Sequence, residues 1–494
     1  MAKKLTRRNM LKLLGAGAAG AALAACQPKT VLVEVEKVVK ETVVVEQEKV
    51  VKETVIVEGT PKVVEKVVKE TIVVEVEKEP AVSALGGKVV WETWRGPGTG
   101  WNEERMESFQ EMHPEVEFEF LPMPWGDYAK MYAEAAAGDL GDLVSFDPGH
   151  LVFGAAIENG LLLPWDELVA ADPTFDKSEW FDQFIEMQYY KGSLYGLPSW
   201  GWSGHDVLIA NKKHFEELGI EAPAPDSRDT DMDTIGEWIR QFYIKGDAPG
   251  EVERWGANIL IVDAAQGPIL RAFGGDILTP DGTECRLLDD ESVQGMKWLY
   301  DLAVVDQVLG FPGDIPGNRA TAWAEGKGTT MVGGGALDIV RTYRKQITDP
   351  ELAEPTTLYY PKRPDGKCPA WIMGGTWNIN SETEYPEVCY QFIRHLTTKE
   401  GCLGFNLVAG EGALVRPDTY QILKVRDEAY GWGEENLFNG IRFIEPANLR
   451  GQELRDAFNQ NCQILMDRNQ PIDFELGMQQ LYDAVQTVLD MPPA

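Results

Sequence analysis

The sequence predicts an α/β fold with more than one lobe, and three observations support this prediction. The chain has 494 residues, which is far more than a single small core requires. From about residue 86 onward, strand-like and helix-like segments alternate, as they do when helices cover a largely parallel sheet. A region of very different composition precedes them, so the globular part is expected to span residues 86–494.

The start of the globular part shows this alternation most clearly. The pattern predicts strands over 88–94, 116–120 and 143–146, and helices over 102–113 and 127–137. Apolar residues in the first helix fall on one side, and a proline or a glycine follows each helix. The order strand, helix, strand, helix, strand predicts a parallel sheet.

Ligands of such sheets collect outside the carboxyl ends of the strands. Trp94 and Arg95 follow the first predicted strand, and Asp147 follows the third. Trp125 stands between proline and glycine in a loop. Aromatic rings can stack on the faces of a ligand, and charged side chains can pair with its polar groups. These four residues are therefore candidates for a ligand-binding edge.

The N-terminus predicts export and a lipid anchor. Four basic residues within the first eight positions precede a small apolar run over 10–25, which is too short for a membrane span of about 20 residues. The stretch 6–12 resembles a twin-arginine export motif, with Met10 where Phe is more usual, and 23–26 resembles a lipobox. Residues 1–26 are therefore predicted to be a signal peptide, with lipid on Cys26 holding the protein at the outer face of the cytoplasmic membrane. The export route, twin-arginine or general secretory, stays open, and a generic secretory peptide with an incidental Cys is the alternative.

Residues 27–85 form a biased segment rich in Val, Glu and Lys. Similar heptapeptides recur at 37–43, 49–55 and 66–72. Valine favours extended backbone, so we expect a stalk that lifts the globular part off the membrane. A coiled coil and an oligomerising β-ribbon are the alternatives, and the irregular spacing of the valines argues against the coiled coil.

Charge and cysteine content exclude several classes of function. The formal net charge of −33 disfavours nucleic acid, whose phosphates attract Lys and Arg, and the acidity is best explained by a soluble surface. Apart from Cys26 there are five cysteines, and they show no spacing typical of metal ligands. No metal and no cofactor is predicted. One or two disulfides are compatible with export, without a defined pairing for Cys285, Cys368, Cys389, Cys402 and Cys462.

The sequence carries no motif of an enzyme class that we could identify. There is no G-x-S-x-G elbow, no H-E-x-x-H pair and no phosphate-binding loop, and no catalytic residue is assigned. A carbohydrate-active hydrolase at the cell surface, using paired carboxylates, remains the alternative from the enzyme class. A purely structural surface protein is the third alternative, and only the stalk suggests it.

A series of short motifs resembles one family along most of the globular part. HPEVEF at 113–118, WGDY at 125–128 and AAGDLGDL at 136–143 resemble the start of the family 1 extracellular solute-binding proteins. These are carbohydrate-type receptors of bacterial ABC importers, and the maltose-binding protein is a distant member. The likeness continues in the same order with YKGSLYGLP at 190–198, LIANKKHFEELG at 208–219, FGGDIL at 273–278, AEGKGTTMVGG at 324–334, GGTWNI at 374–379 and the helix over 389–400. It covers about residues 88–420, and 430–494 matches only in length and helical character.

The resemblance implies a two-lobed fold of the type II periplasmic binding proteins, with a ligand cleft between the lobes and hinge crossings. Lobe one would span about 88–198 and 375–432, and lobe two about 204–372 and 433–494. Position in the family pattern adds further candidate ligand residues, with Trp200 and Trp202 at the hinge fitting best. Each tryptophan has core packing as its alternative, to which Trp238 and Trp298 are assigned. The remaining candidates are Arg271, Asp276, Gly335, Asp338, Trp371, Gly375 and Trp377.

These observations together predict a receptor rather than an enzyme. The chain is expected to be an exported, lipid-anchored protein that delivers a mono- or oligosaccharide to the permease of an ABC importer by lobe closure. A polyol or a cationic solute remains an alternative ligand.

Overall fold

The structure is a computed structural model. It describes residues 40–57, 60–77, 85–93, 100–124, 126–204, 206–315, 319–328, 330–332, 355–409 and 415–493. The predicted signal peptide and Cys26 lie outside this range. Contacts divide the chain into two units, Met1–Ser83 and Ala84–Ala494.

The described residues form strands and helices that are numbered here in chain order. The strands are β1 (Lys40–Val57), β2 (Thr60–Glu77), β3 (Gly86–Thr93), β4 (Glu115–Pro122), β5 (Leu143–Val144), β6 (Tyr189–Tyr190), β7 (Ser193–Leu194), β8 (Gly196–Gly204), β9 (Val207–Asn211), β10 (Ile244–Lys245), β11 (Val252–Arg254), β12 (Ala257–Asn258), β13 (Leu309–Gly310), β14 (Thr330–Val332), β15 (Pro355–Tyr359), β16 (Trp371–Ile379) and β17 (Ile441–Arg442). The α-helices are α1 (Trp101–Met112), α2 (Tyr128–Ala137), α3 (Phe153–Glu158), α4 (Asp166–Ala171), α5 (Asp182–Ile185), α6 (Lys212–Glu217), α7 (Met232–Phe242), α8 (Asp263–Ala272), α9 (Asp290–Tyr300), α10 (Arg319–Ala324), α11 (Pro386–Leu396), α12 (Lys399–Gly404), α13 (Pro417–Arg426), α14 (Glu434–Asn439), α15 (Gly451–Leu465) and α16 (Phe474–Leu489).

The first unit contains a long antiparallel hairpin. Strands β1 and β2 have 18 residues each and pair from Lys40 opposite Glu77 to Val57 opposite Thr60. At about 3.4 Å per residue, each strand extends roughly 60 Å. The coiled-coil alternative is therefore wrong for these residues, and the backbone is a ribbon formed within one chain.

The first sheet of the second unit has the strand order β17-β16-β5-β3-β4, with β8 also paired to β16. Strands β4 and β5 lie parallel to β3, which confirms the predicted parallel arrangement. Asp127 caps the N-terminus of α2, and Gly138 ends it with a φ of 78°. Helices α1 and α2 also agree with the prediction. We refer to this sheet with its packed helices as lobe one.

Aromatic rings fill the core of lobe one. The ring of Trp91 makes edge-to-face contacts with Trp101, Phe120, Trp377 and Phe392 at centroid distances of 5.3–6.4 Å. All of these rings except that of Phe120 are buried, and Phe120 is partly buried against the same core. Such contacts stabilise the sheet beyond the area they bury.

Lobe two is built on a second sheet with the strand order β13-β12-β14-β9-β15. Residues of α7, α8 and α9 pack on it, together with the C-terminal helices α15 and α16. Trp238 and Trp298 are partly buried against this core, which confirms their assignment to packing. The arrangement agrees with the predicted two-lobed α/β fold, while the residue limits proposed for the lobes stay a prediction.

Within the described residues, three segments cross between the lobes. Strand β8 contributes Trp200 to the core of lobe one, and β9 contributes Leu208 to that of lobe two. Strand β16 begins with Trp371 in the core of lobe two and reaches Trp377 in lobe one. The third crossing is β17, which pairs with β16 and leads to Phe443 against lobe two.

A buried polar network surrounds Asp206, which lies between β8 and β9 at the first crossing. Arg228 donates hydrogen bonds to Asp206 Oδ2 at 2.5 Å and to the Tyr360 carbonyl at 3.0 Å. Its other terminal nitrogen donates to Asn436 Oδ1, and Asn436 Nδ2 donates to Asp206 Oδ1 at 2.9 Å. The network joins lobe two to α14, whose Leu437 packs in lobe one.

The five cysteines of the second unit are all free thiols, and four of them are buried. The disulfides considered from the sequence therefore do not form among these residues. Every helix in the described part of the chain is too short or too polar to span a lipid bilayer.

Candidate functional site

A cavity of about 180 Å³ lies between the lobes. The loop after β5 and the segment before β6 line it from lobe one, while β17 and the residues after it line the other side. Its wall combines aromatic rings with charged side chains, as sugar sites require. The lining residues are Pro148, Gly149, Leu151, Phe153, Glu186, Met187, Tyr189, Tyr190, Ile372, Arg442, Phe443 and Glu445.

Asp147, a predicted ligand residue, begins the loop that forms one wall of this cavity. Its carboxylate is fully buried. Oδ1 accepts hydrogen bonds from the Thr376 backbone N–H at 2.8 Å and from Ser145 Oγ at 3.3 Å, and Oδ2 accepts one from the Tyr128 hydroxyl at 3.2 Å. Both oxygens are thus engaged within the protein, so Asp147 positions the loop rather than presenting a free acceptor.

Trp200 and Gly375, two further predicted residues, meet directly at the hinge. A Cβ added to Gly375 would lie 1.8 Å from the Trp200 Nε1, so only glycine allows the indole to approach this closely. The Trp200 ring also lies 6.1 Å from the His150 ring. The structure thus brings Asp147, Trp200 and Gly375 together beside the cavity, around the backbone of β16.

Trp377 is buried in the core of lobe one. It is 1% exposed and packs against Trp91 with 5.4 Å between ring centroids. This packing keeps the Trp377 ring out of the cavity wall. Its placement matches the packing alternative for tryptophan and does not support contact with a solute.

Asp276 forms an internal ion pair instead of facing the cavity between the lobes. Its Oδ2 accepts from Arg271 Nε at 2.8 Å, and its Oδ1 accepts from the Ile277 backbone N–H at 2.8 Å. The Arg271 guanidinium also lies 4.9 Å from the Trp371 ring. This group supports the base of the cleft from lobe two.

The side chains of the remaining predicted residues are not described by the structure. Trp94, Arg95, Trp125, Gly335 and Asp338 are outside the described residues, and Trp202 is described only in its backbone. Their assignment to the solute site stays a prediction.

None of the predicted ligand residues that the structure describes lines this cavity. Tyr190 begins the motif at 190–198 and Tyr189 precedes it, so the adjacent aromatic pair could have identified them. Arg442, Phe443 and Glu445 come from a stretch that resembles the family only in length. Nothing local in that stretch indicates that it returns to the cleft.

Burial shifts the ionisation of two groups in this wall. Burial raises the pKa of Glu445 to about 7, and the Gly154 backbone N–H, which donates a hydrogen bond to it, partly offsets the rise. Burial lowers the pKa of the Arg442 guanidinium, and Glu186 opposes that change. Among the residues that are described, no cluster of side chains could hold a metal ion.

Direct contacts hold the two lobes together beside the cavity. Arg455 of α15 donates a hydrogen bond from Nε to Asp263 Oδ2 at 3.0 Å. Its Nη2 donates another to the Gly149 carbonyl at 3.3 Å. A second cavity of about 330 Å³ lies nearby, between helices α2 and α3 on one side and Leu449 to Glu453 on the other.

A family model matches most of the second unit. Residues 104–408 match the model described as bacterial extracellular solute-binding protein. No curated protein matches the chain in sequence.

Solved structures share the fold at low sequence identity. The ABC substrate-binding protein of Listeria monocytogenes in complex with cycloalternan has a TM-score of 0.67 at 16% identity, covering 82% of this chain and 99% of that one. The GacH receptor of Streptomyces glaucescens, solved unliganded and with acarbose, has a TM-score of 0.64 at 16% identity, with 83% and 100% covered. UgpB of Mycobacterium tuberculosis in complex with glycerophosphocholine has a TM-score of 0.65 at 15% identity, with 82% and 99% covered. These matches show the two-lobed fold of the type II periplasmic binding proteins.

Proposed function

The chain belongs to the bacterial extracellular solute-binding proteins, and from this premise we propose that it is a sugar receptor of an ABC importer. The observation that carries the proposal is the cavity between the lobes, whose wall combines Tyr189, Tyr190 and Phe443 with Arg442 and Glu186. Aromatic faces would stack on sugar rings, and the charged groups would pair with hydroxyls.

A mono- or oligosaccharide fits the cavity better than a strongly charged solute. Arg442 and the two carboxyl groups of Glu186 and Glu445 line the same space, so neither sign of charge dominates. Two of the structural neighbours are named with carbohydrate ligands, cycloalternan and acarbose, which supports the same class. The glycerophosphocholine complex of a third neighbour makes a polar, non-sugar solute the alternative to test.

Transport would proceed by closure of the lobes on the solute. Three chain crossings and the Asp206 network provide hinges about which the lobes can move. A solute favours the closed form only if it binds that form more tightly. The closed receptor would then dock on the permease, and a lipid on Cys26 with the hairpin of residues 40–77 would keep it close to the membrane.

The direct test is a thermal-shift screen of the purified full-length protein against glucose, maltose, maltotriose, acarbose and glycerophosphocholine. We expect at least one carbohydrate to raise the melting temperature and to be recovered chemically unchanged after denaturation. Hydrolysis of the sugar would support an enzyme instead. Stabilisation by glycerophosphocholine alone would overturn the sugar assignment.

A pair of variants assigns binding to the cavity. Tyr189→Ala removes a ring from its wall, whereas Tyr243→Ala removes a comparable ring that packs against the core of lobe two. Loss of one stacking ring should weaken sugar binding by about two- to tenfold, which corresponds to roughly 0.5–1.5 kcal/mol, in the first variant only. Equal affinities of the two variants for a sugar that binds the wild type would place the site elsewhere.

A further inference from the structure

The segment after β17 is anchored on lobe two. Phe443 and Ile444 pack against the core of that lobe. The backbone N–H of Ala447 donates a hydrogen bond to the Gly282 carbonyl at 2.9 Å. Glu445, between these anchors, therefore moves with lobe two.

The Glu445 side chain reaches across to lobe one. Its Oε2 would lie 2.8 Å from a Cβ placed on Gly154, and the Leu449 Cδ2 would lie 2.9 Å from it. The backbone N–H of Gly154 donates a hydrogen bond to the carboxyl group. Gly154 lies in the first turn of α3, beside Phe153 and Ala156, which belong to the apolar core around β5. The contact therefore joins the two lobes, and a side chain at position 154 would block it.

The second oxygen of this carboxyl group lacks a donor within the described part of the chain. Oε1 of Glu445 is buried and accepts no hydrogen bond from the described residues. An ionised carboxylate in this position would lose its hydration without compensation, which costs free energy. A neutral carboxylic acid tolerates the same position far better.

Titratable and charged groups approach Glu445 from several elements, and among the described residues no ion pair links it to a cation. Burial raises the pKa of Tyr132 of α2 to about 12, and the charge of Glu445 adds to that rise. Burial and then Glu158 raise the pKa of Tyr190 of β6 to about 12, with a smaller contribution from the charge of Glu445. The other charged groups line the cavities around it or lie on the adjoining segments: Glu186, Asp276, Asp281, Arg286, Arg363, Asp365, Lys367, Arg442 and Glu453. Burial consequently dominates and raises the pKa of Glu445 to about 7.

We propose that Glu445 is a proton-operated latch between the lobes, whose neutral carboxyl group permits the closed arrangement and whose ionised form favours separation. The inference rests on the proposed function only in taking lobe closure to accompany solute binding. When the lobes part, the carboxyl group regains water and its pKa should return towards the ordinary value of about 4.3.

The direction of the pH dependence follows from this difference. Because the pKa is higher in the closed form, closure takes up a proton. The stabilisation of the closed form by the neutral carboxyl group is complete below about pH 4 and is lost as the pH rises through about 7. Solute affinity should therefore fall between about pH 5 and about pH 8, by on the order of ten- to a hundredfold.

The first experiment measures maltotriose affinity of the full-length protein at about pH 5 and about pH 8. Glu445→Gln, which keeps the shape and remains neutral, should bind at both pH values as tightly as the wild type binds at the lower one. Glu453→Gln, on the next segment, is the matched control and should retain the wild-type dependence. A Glu445→Gln variant that loses affinity with pH as steeply as the wild type would overturn the latch.

The second experiment needs no solute and separates failure of the latch from failure of the proposed function. Hydrogen exchange over residues 149–156, corrected for the intrinsic pH dependence of exchange, reports the contact at Gly154. Protection should decrease in the wild type between about pH 5 and about pH 8 and persist in Glu445→Gln. Gly154→Ala, which excludes the carboxyl group, should show low protection at both pH values. Identical protection in the wild type and both variants would contradict the proposal, whether or not maltotriose binds.

Discussion

Asp147 shows how a single side chain organises the wall of the cleft. Its two oxygens bind groups from β16, from the end of β5 and from α2, so one buried carboxylate connects three elements of lobe one. Charge-assisted bonds of this kind are stronger than neutral ones, and a partner left unsatisfied in the interior is costly.

Asp147→Asn should lower the free energy of unfolding by about 1–3 kcal/mol. The amide nitrogen cannot accept from Thr376 or Tyr128, so at least one bond of the network is lost. Urea denaturation of the wild type and the variant measures the difference. Asp139→Asn, at an exposed position after α2, is the control and should change stability little. Equal stability of all three proteins would mean that Asp147 does not hold the loop.

Gly375→Ala should disturb the hinge itself. The added methyl group would lie 1.8 Å from the Trp200 indole, and such overpacking costs roughly 1–3 kcal/mol. We expect a lower melting temperature together with weaker sugar binding, because Trp200 stands beside the cavity wall. A melting temperature and an affinity both equal to those of the wild type would show that the indole can move aside freely.

Local patterns in the sequence predict single strands and helices, whereas they do not predict contacts between segments that are far apart in the chain. Strand β3 and helices α1 and α2 follow from local periodicity and from end signals such as Gly138, and they formed as predicted. Glu445 and Gly154 meet although they are far apart in the chain, and no local pattern encodes such a contact. The burial of Trp377 was not predictable for a related reason, since a tryptophan in a strand motif does not reveal whether its ring packs in the core.

Arg228→Lys should weaken the hinge network. Lysine offers one compact ammonium group where the forked guanidinium serves Asp206, Tyr360 and Asn436 together. We expect unfolding at a urea concentration that corresponds to a loss of about 1–3 kcal/mol. Arg240→Lys, whose partner Asp306 forms a pair nearer the surface, should cost less than 1 kcal/mol. Equal losses in the two variants would contradict a special role for Arg228.

The contact between α11 and α1 should make the protein sensitive to acid. His395 lies 2.8 Å from Ser108 Oγ through Nε2, and burial, assisted by Arg105, lowers the pKa of His395 to about 4. A lowered histidine pKa means that the fold favours the neutral ring. The corresponding stability is present above about pH 6.5 and is lost as the pH falls towards 4. His395→Gln should reduce the loss of melting temperature over that interval, and a variant that melts in parallel with the wild type would refute the assignment.

At the scale of the whole molecule, the chain combines two hinged lobes with an N-terminal region suited to attachment. The repeat segment forms a ribbon of strands β1 and β2, and the proposed lipid site at Cys26 precedes it. A tether of this kind would raise the concentration of receptor near its permease without adding a contact. The strongly acidic composition fits a soluble receptor that does not bind polyanions.

Cys26→Ser tests the anchor. If Cys26 carries the lipid, the variant should move from the membrane fraction to the soluble exported fraction, while the wild type stays with the membrane. Incorporation of a labelled fatty acid provides an independent readout and should be lost in the variant. A Cys26→Ser protein that still carries lipid in the membrane fraction would contradict the proposed attachment.

X-ray scattering by the full-length protein, with and without a saturating solute, tests whether the lobes close on a solute. Saturation would be established beforehand by the thermal-shift screen. The proposed mechanism expects the radius of gyration to decrease when a carbohydrate binds. An unchanged radius at saturation with every ligand that stabilises the protein would contradict closure.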